Sequence, residues 1–205
     1  MPTELFFPTR IYRAKLAPRG TAALNAQILR EAAVLREDDG GGQLWSRDNY
    51  PGGYTSYGSV CRLQTISPTF ARLEQLLSRH VTAYARALEL NLSGKPLEMT
   101  DCWINVMPKG VTHGLHLHPT STISGTYYVQ VPKGAPGLKF EDPRLDRMMA
   151  SPPRRATARK SNQPWVMAPA MAGYVTLFES WLRHEVPANP VDAERVSVSF
   201  NYSWF

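Results

Sequence analysis

The stretch Glu194–Trp204, ERVSVSFNYSW, alternates between polar and apolar residues without interruption. A period of two sends successive side chains to opposite faces, which is the pattern of a β-strand covered on one side. Arg195, Ser197, Ser199 and Asn201 share a face. Burying a guanidinium without a counter-charge is costly, and no acidic residue of the strand lies on that face. A ligand carboxylate is the economical partner.

Working outward, residues 98–107 (EMTDCWINVM), 123–131 (ISGTYYVQV), 137–142 (GLKFED), 164–169 (PWVMAP) and 173–180 (GYVTLFES) are further short runs rich in β-branched and aromatic residues. Gly, Pro or polar punctuation separates them, as expected of strands. The N-terminal part reads differently. Residues 21–37 carry Leu24, Ile28, Leu29, Ala32 and Leu35 on one helical face, with Thr21 as the expected N-cap and the 38–42 DDGGG run as its end. A second helix is expected from Ser67-Pro68, with Phe70, Leu73, Leu77, Val81, Tyr84 and Leu88 facing the core. The Gly-, Pro- and aromatic-rich stretch between them, residues 45–60, reads as a long irregular loop covering a pocket or the core. Helices followed by many short strands predict a mainly β, α+β fold, with helices packed on an antiparallel sandwich or barrel.

With 205 residues and 43% hydrophobic composition, the chain suits one domain. We expect residues 1–97 to supply helices and a covering loop, and 98–205 the β core. Cys61 and Cys102 are expected as free buried thiols in a reducing cytosol rather than a disulfide. No apolar run is long enough to span a bilayer, and MPTELFFPTR does not resemble a secretion signal. These features predict a cytoplasmic protein with no membrane association; a homodimer is left open. The net charge is +6, and residues 144–160 hold six basic side chains against Asp146 alone, five of those six charges. The basic character is therefore local, either a solvated loop or an anion-attracting lid, which disfavours nucleic acid as a partner.

Three of the five histidines fall in THGLHLHP, Thr112–Pro119. In an extended segment His116 and His118 share a face and can converge on one ion, with His184 as the third candidate ligand. His113 has the opposite parity and is expected to point elsewhere, while His80 is expected at the polar edge of its helix. On spacing alone this remains a weak metal signal.

Taken in order, Trp103-x-Asn105, His116-x-His118-Pro119, Ser124-Gly125-x-Tyr127-Tyr128, the Gly137–Arg144 run GLKFEDPR, Leu177–Pro187 and Arg195-x-Ser197 resemble the Fe(II)/2-oxoglutarate-dependent oxygenases of bacteria and phages. The resemblance runs from about Trp103 to Trp204. It implies a double-stranded β-helix, the jelly-roll or cupin-like barrel, buttressed by the N-terminal helices. It further implies Fe(II) held by His116 and His184, 2-oxoglutarate as cosubstrate, and O2. Arg195 and Ser197 would grip the distal carboxylate, joined by Tyr128, as in prolyl hydroxylases. Asn105 corresponds to an asparagine of nucleic-acid dealkylases that touches the cosubstrate; Asn201 stands where those enzymes carry a second arginine.

One position departs from the pattern. The usual set is His-x-Asp/Glu…His, whereas His118 occupies the carboxylate position. It is expected as a third ligand; the alternative is that it turns away and leaves a coordination position open. The implied activity is oxidation, most simply hydroxylation, of a small polar molecule, amino acid or peptide, with release of succinate and CO2. His113, Asn201, Arg144 and Tyr54 are candidate substrate contacts. The competing readings are a three-histidine Fe or Zn enzyme without 2-oxoglutarate, and a ligand-binding β-barrel without catalysis.

Overall fold

In the computed structural model, which describes residues 3–204, the chain runs through β1 (Tyr12–Lys15), α1 (Thr21–Asp38), α2 (Gly40–Asn49), β2 (Tyr54–Thr55), α3 (Leu63–Ile66) and α4 (Pro68–Ala87). It continues through β3 (Glu98–Met107), β4 (His113–His116), β5 (Ile123–Gln130), β6 (Leu138–Glu141), β7 (Trp165–Ala168), β8 (Tyr174–Glu179), β9 (His184–Val186) and β10 (Arg195–Ser203). Two antiparallel sheets result, a larger one ordered β1-β8-β5-β10-β3-β2 and a smaller one ordered β4-β9-β6-β7. They are separate ladders rather than one closed barrel.

The alternating segment lies inside the larger sheet, paired to β3 on one side and β5 on the other. Its apolar face, Val196, Val198, Phe200 and Tyr202, joins Ile104, Val106, Tyr127, Val175 and Leu177 in the main core. Leu24, Ile28 and Ala32 of α1 and Phe70, Leu73, Leu77, Val81 and Tyr84 of α4 complete that core, so the helices buttress the outer face of this sheet. The inner face meets the smaller sheet, with Met107, Leu138, Phe140, Phe178, Leu182 and Val186 packed between them. Helix packing thus leaves the Arg195 face turned toward the gap between sheets.

Several local expectations change. Thr21 is the first helical residue; the N-cap is Gly20, at φ 82, and no side chain caps the helix. Left-handed backbone at that corner suits glycine, and the capping position moves with it. The DDGGG run ends α1, but Gly40–Asn49 immediately forms α2, because Asp39 caps it by accepting from the Gly42 N–H at 2.9 Å. The first five residues of the expected irregular loop, 45–49, are therefore helical. The second helix, α4, starts at Pro68 as expected; Ser67 caps it and also donates to Glu31 of α1 at 2.6 Å. The N-terminal part contributes strands too, since β1 and β2 form the two edges of the larger sheet. His80 is buried rather than at a polar edge. Its Nε2 donates to Leu16 O at 2.9 Å, which leaves Nδ1 to accept from the Tyr12 hydroxyl at 2.8 Å. Both cysteines are free, Cys102 buried as expected but Cys61 only half-buried, and among the described residues no helix is long and apolar enough to cross a membrane.

Candidate metal centre

His116 on β4 and His184 on β9 face each other across the smaller sheet. Opposed residues of an antiparallel pair share a face at close range, and their ring centroids lie 4.3 Å apart. Just beyond β4, the backbone N–H of His118 donates to Ser180 O at 2.9 Å. That bond brings the ring to 5.2 Å from His116 and 5.3 Å from His184. One ligand atom from each of the three lies within 4.8 Å of the others. Two metal–nitrogen bonds of about 2.1 Å span at most about 4.2 Å, so small ring rotations close the set on one cation.

Two of the rings are already oriented. His116 Nδ1 lies 2.7 Å from Gly114 O, and His184 Nδ1 lies 2.9 Å from Leu182 O. A carbonyl only accepts, so each Nδ1 carries the hydrogen and each Nε2 keeps its lone pair for a cation. His118 has no such anchor among the described residues; it is held by packing, parallel to His184 within 13° and 6.0 Å from Trp103. Burial pushes all of these rings toward the neutral state that binds metal. The His118 pKa falls to about 4, through burial and then His116, against an opposing pull from Asp101. His116 and His184 are also lowered, burial being the main cause in each.

The same cavity reaches Arg195, Ser197, Ser199, Asn105 and Thr126 on the inner face of the larger sheet. Arg195 is 2% exposed. Its Nε donates to Pro136 O at 3.0 Å and its Nη1 to Ser197 Oγ at 3.2 Å, and its guanidinium carbon lies 5.1 Å from the centre of the Tyr128 ring. Among the described residues it has neither an acidic partner nor any hydrogen-bond partner for Nη2. Asn105 donates to Ser199 Oγ at 3.1 Å, but its Oδ1 and the Tyr128 hydroxyl are buried without partners. Buried polar atoms are normally satisfied, so an orphan acceptor on the cavity wall and an orphan hydroxyl beside Arg195 mark the place of a missing polar ligand. The donor set therefore fits a divalent cation beside an anionic ligand.

Of the expected site residues, His116, His118, His184, Arg195, Ser197 and Asn105 come together around this cavity. Tyr128 is fully buried against Arg195 and does not line it. His113 lines the cavity instead of pointing away, stacked on His116 at 4.4 Å and 15°. His113 pairs with Val186 and His116 with His184, so three steps on β4 answer two on β9. That bulge cancels the parity on which the expectation rested. Burial, followed by the charges of His116, His118 and Arg195, lowers the His113 pKa to about 3.

The remaining three lie elsewhere. Asn201 accepts from Ser124 Oγ at 2.8 Å and donates to Asp101 at 3.2 Å, which engages its amide within the protein. Tyr54 pairs with Val106, whose side chain faces the helices, and its hydroxyl donates to Asp39 at 2.9 Å. Arg144 is exposed and ion-paired to Asp142 at 2.8 Å. Arg144 and Lys160 border a separate groove beside Leu5–Thr9, and no residue of 144–160 lines the histidine cavity. Sequence reasoning missed Tyr50 and Phe178, which line it. Tyr50 packs 5.4 Å from His113, and a Cβ on Gly53 would stand 2.4 Å from the Tyr50 ring. The second glycine after the Tyr50-Pro51 pair was the available signal.

Residues 101–201 match the family described as "Putative 2OG-Fe(II) oxygenase". No curated protein matches the sequence. Among solved structures, the non-heme alpha-ketoglutarate-dependent epimerase SnoN from nogalamycin biosynthesis is similar, with a TM-score of 0.63 and 19% identity over 96% of this chain and 77% of that one. A Pseudomonas putida prolyl-4-hydroxylase matches 96% of this chain and 94% of its own, at TM-score 0.62 and 15% identity. HygX from Streptomyces hygroscopicus, solved with nickel and 2-oxoglutarate bound, matches 96% of this chain and 83% of its own, at TM-score 0.60 and 14% identity. At such identities the shared property is the fold, a double-stranded β-helix.

Proposed function

We propose that this chain is a 2OG-Fe(II) oxygenase, the family whose pattern residues 101–201 match, and that His116, His118 and His184 hold Fe(II) while Arg195 and Ser197 bind the distal carboxylate of 2-oxoglutarate. The observation that carries this reading is Arg195: a buried guanidinium with no acidic partner among the described residues, in one cavity with three convergent imidazoles. When bound, the metal and 2-oxoglutarate supply the means of activating O2, the cosubstrate leaving as succinate and CO2.

The chain's own residues bind, orient and keep out water. The two carbonyl-anchored histidines fix the direction of approach to the metal; His118 completes the set by packing. Nη2 of Arg195 offers its free N–H groups to a carboxylate, and Ser197 Oγ, already accepting from Nη1, can donate its own hydrogen to the same group. The Tyr128 ring packs against the guanidinium, and its buried, partnerless hydroxyl is the further donor proposed for the distal carboxylate. Asn105 Oδ1 is available as an acceptor beside Ser199. Tyr50, Leu138, Phe178 and Val186 wall the cavity with apolar surface, and a dry wall strengthens each charged contact inside it.

The substrate we propose is a small polar molecule, amino acid or peptide, with hydroxylation as the simplest outcome and His113 among its contacts. Residues 1–205 would act as one oxygenase domain, in the cytoplasm as the free thiols suggest. A three-histidine enzyme without 2-oxoglutarate leaves Arg195 without a purpose. Anaerobic titration distinguishes the two: Fe(II) with 2-oxoglutarate should give a weak visible charge-transfer band, absent with Arg195→Met. A band that survives this substitution, or no band with wild type, would overturn the assignment. Succinate release without added substrate would set an oxygenase apart from a binding protein.

A further inference from the structure

We infer that the all-imidazole donor set makes retention of the metal conditional on a dianion, so that cation and 2-oxoglutarate bind as a coupled pair. This rests on the oxygenase reading and extends it to the order and strength of binding. The argument is one of charge. Among the described residues lining the cavity there is no carboxylate; the candidate donors are neutral rings, and Arg195 contributes a full positive charge. Adding a divalent cation encloses three positive charges in a buried space. Such a charge is poorly solvated there, and the repulsion between cation and guanidinium is weakly screened.

Asp101 is the acid that acts on His118. Its carboxylate is already engaged by the Thr100 hydroxyl at 2.8 Å and by Asn201 Nδ2 at 3.2 Å, and it does not line the cavity. The missing negative charge must therefore arrive with a ligand. A dicarboxylate with one end at the metal and the other at Arg195 reduces the enclosed charge from three to one. A protein carboxylate at position 118 would have lowered it to two before any ligand bound. His118 thus shifts part of the charge compensation from the protein to the cosubstrate. Linkage is reciprocal, so the metal tightens the dicarboxylate by the same factor.

Mn(II), which does not consume oxygen here, provides the test. Its affinity is measured by titration calorimetry for wild type and His118→Asp, each alone, with saturating 2-oxoglutarate, and with 2-oxobutyrate, which lacks the second carboxylate. For wild type, 2-oxoglutarate should tighten Mn(II) by at least about tenfold, and 2-oxobutyrate by less. His118→Asp should bind Mn(II) more tightly alone and gain less than about threefold from 2-oxoglutarate. Equal gains in the two proteins would overturn the inference while leaving the oxygenase reading in place. If 2-oxoglutarate bound neither Mn(II)-loaded protein, both would fall. Should thermal melts reveal that His118→Asp does not fold, Arg195→Met carries the test: removing the like charge should tighten Mn(II) alone, and unchanged or weaker binding overturns the inference.

Discussion

Replacing Arg195 with Met removes a buried cation whose hydrogen bonds, among the described residues, go to Pro136 O and Ser197 Oγ. An uncompensated buried charge is a burden on the ligand-free fold. The apo protein should therefore melt at the wild-type temperature or above it, while 2-oxoglutarate affinity drops by at least about a hundredfold, as for loss of a charged contact worth roughly 3 kcal/mol. Thermal melts and ligand titration together check this; a marked drop in apo Tm would mean that Arg195 has a structural role. The histidines make a second residue-scale prediction. Their pKa values are lowered from 6.5, to about 4 for His118 and about 3 for His113, mainly by burial. Below about pH 6.5 the unfolded chain takes up protons that the folded cluster refuses, so apo stability falls as pH drops from there toward those lower values. Each ring that stays neutral adds roughly 1.4 kcal/mol of loss per pH unit. Denaturant midpoints at pH 7.5 and 5.5 test the slope, which should flatten in the His113→Phe variant.

At the level of elements, Asp39 ties together the segment that covers the site. It caps α2, accepts from Tyr54, and receives the Ser59 hydroxyl at 2.5 Å. Asp39→Ala should cost about 1–2 kcal/mol, the worth of a good cap, and should also weaken ligand binding, because α2 ends at Tyr50 on the cavity wall. Urea melts and 2-oxoglutarate titration measure both effects. This region also shows where the sequence stopped being legible. The strands 98–107, 123–130 and 195–203 were readable because their alternation is set by two packed faces, a purely local pattern. The α2 helix was hidden behind three consecutive glycines, which argue locally against a helix and are overridden by the Asp39 cap. The edge strands β1 and β2 span four residues and two, too short for any period to register. His113 was misread for a related reason, since a bulge is a property of a strand pair and not of either strand.

For the whole molecule, the site lies between the sheets, whereas the basic segment lies outside them. Arg144 is paired with Asp142 and borders the Leu5–Thr9 groove. Substituting Arg154, Arg155 and Arg159 by Ser should leave 2-oxoglutarate affinity within about twofold, because exposed charges at a distance are screened by salt; a tenfold loss would place that segment at the mouth after all. The resemblance pointed to His116, His184 and Arg195, which lie on β4, β9 and β10, and to His118 just beyond β4, because their spacing is recognisable in the sequence. It did not exclude Arg144, Tyr54 and Asn201, whose positions depend on how the loops and edges pack. The most direct test of the central claim is a crystal structure of the protein with Mn(II) and 2-oxoglutarate, the metal located by its anomalous scattering. The account predicts one metal bound by nitrogens of His116, His118 and His184, with the distal carboxylate of 2-oxoglutarate against Arg195 and Ser197. A metal bound elsewhere, or an Arg195 that leaves the carboxylate untouched, would contradict it.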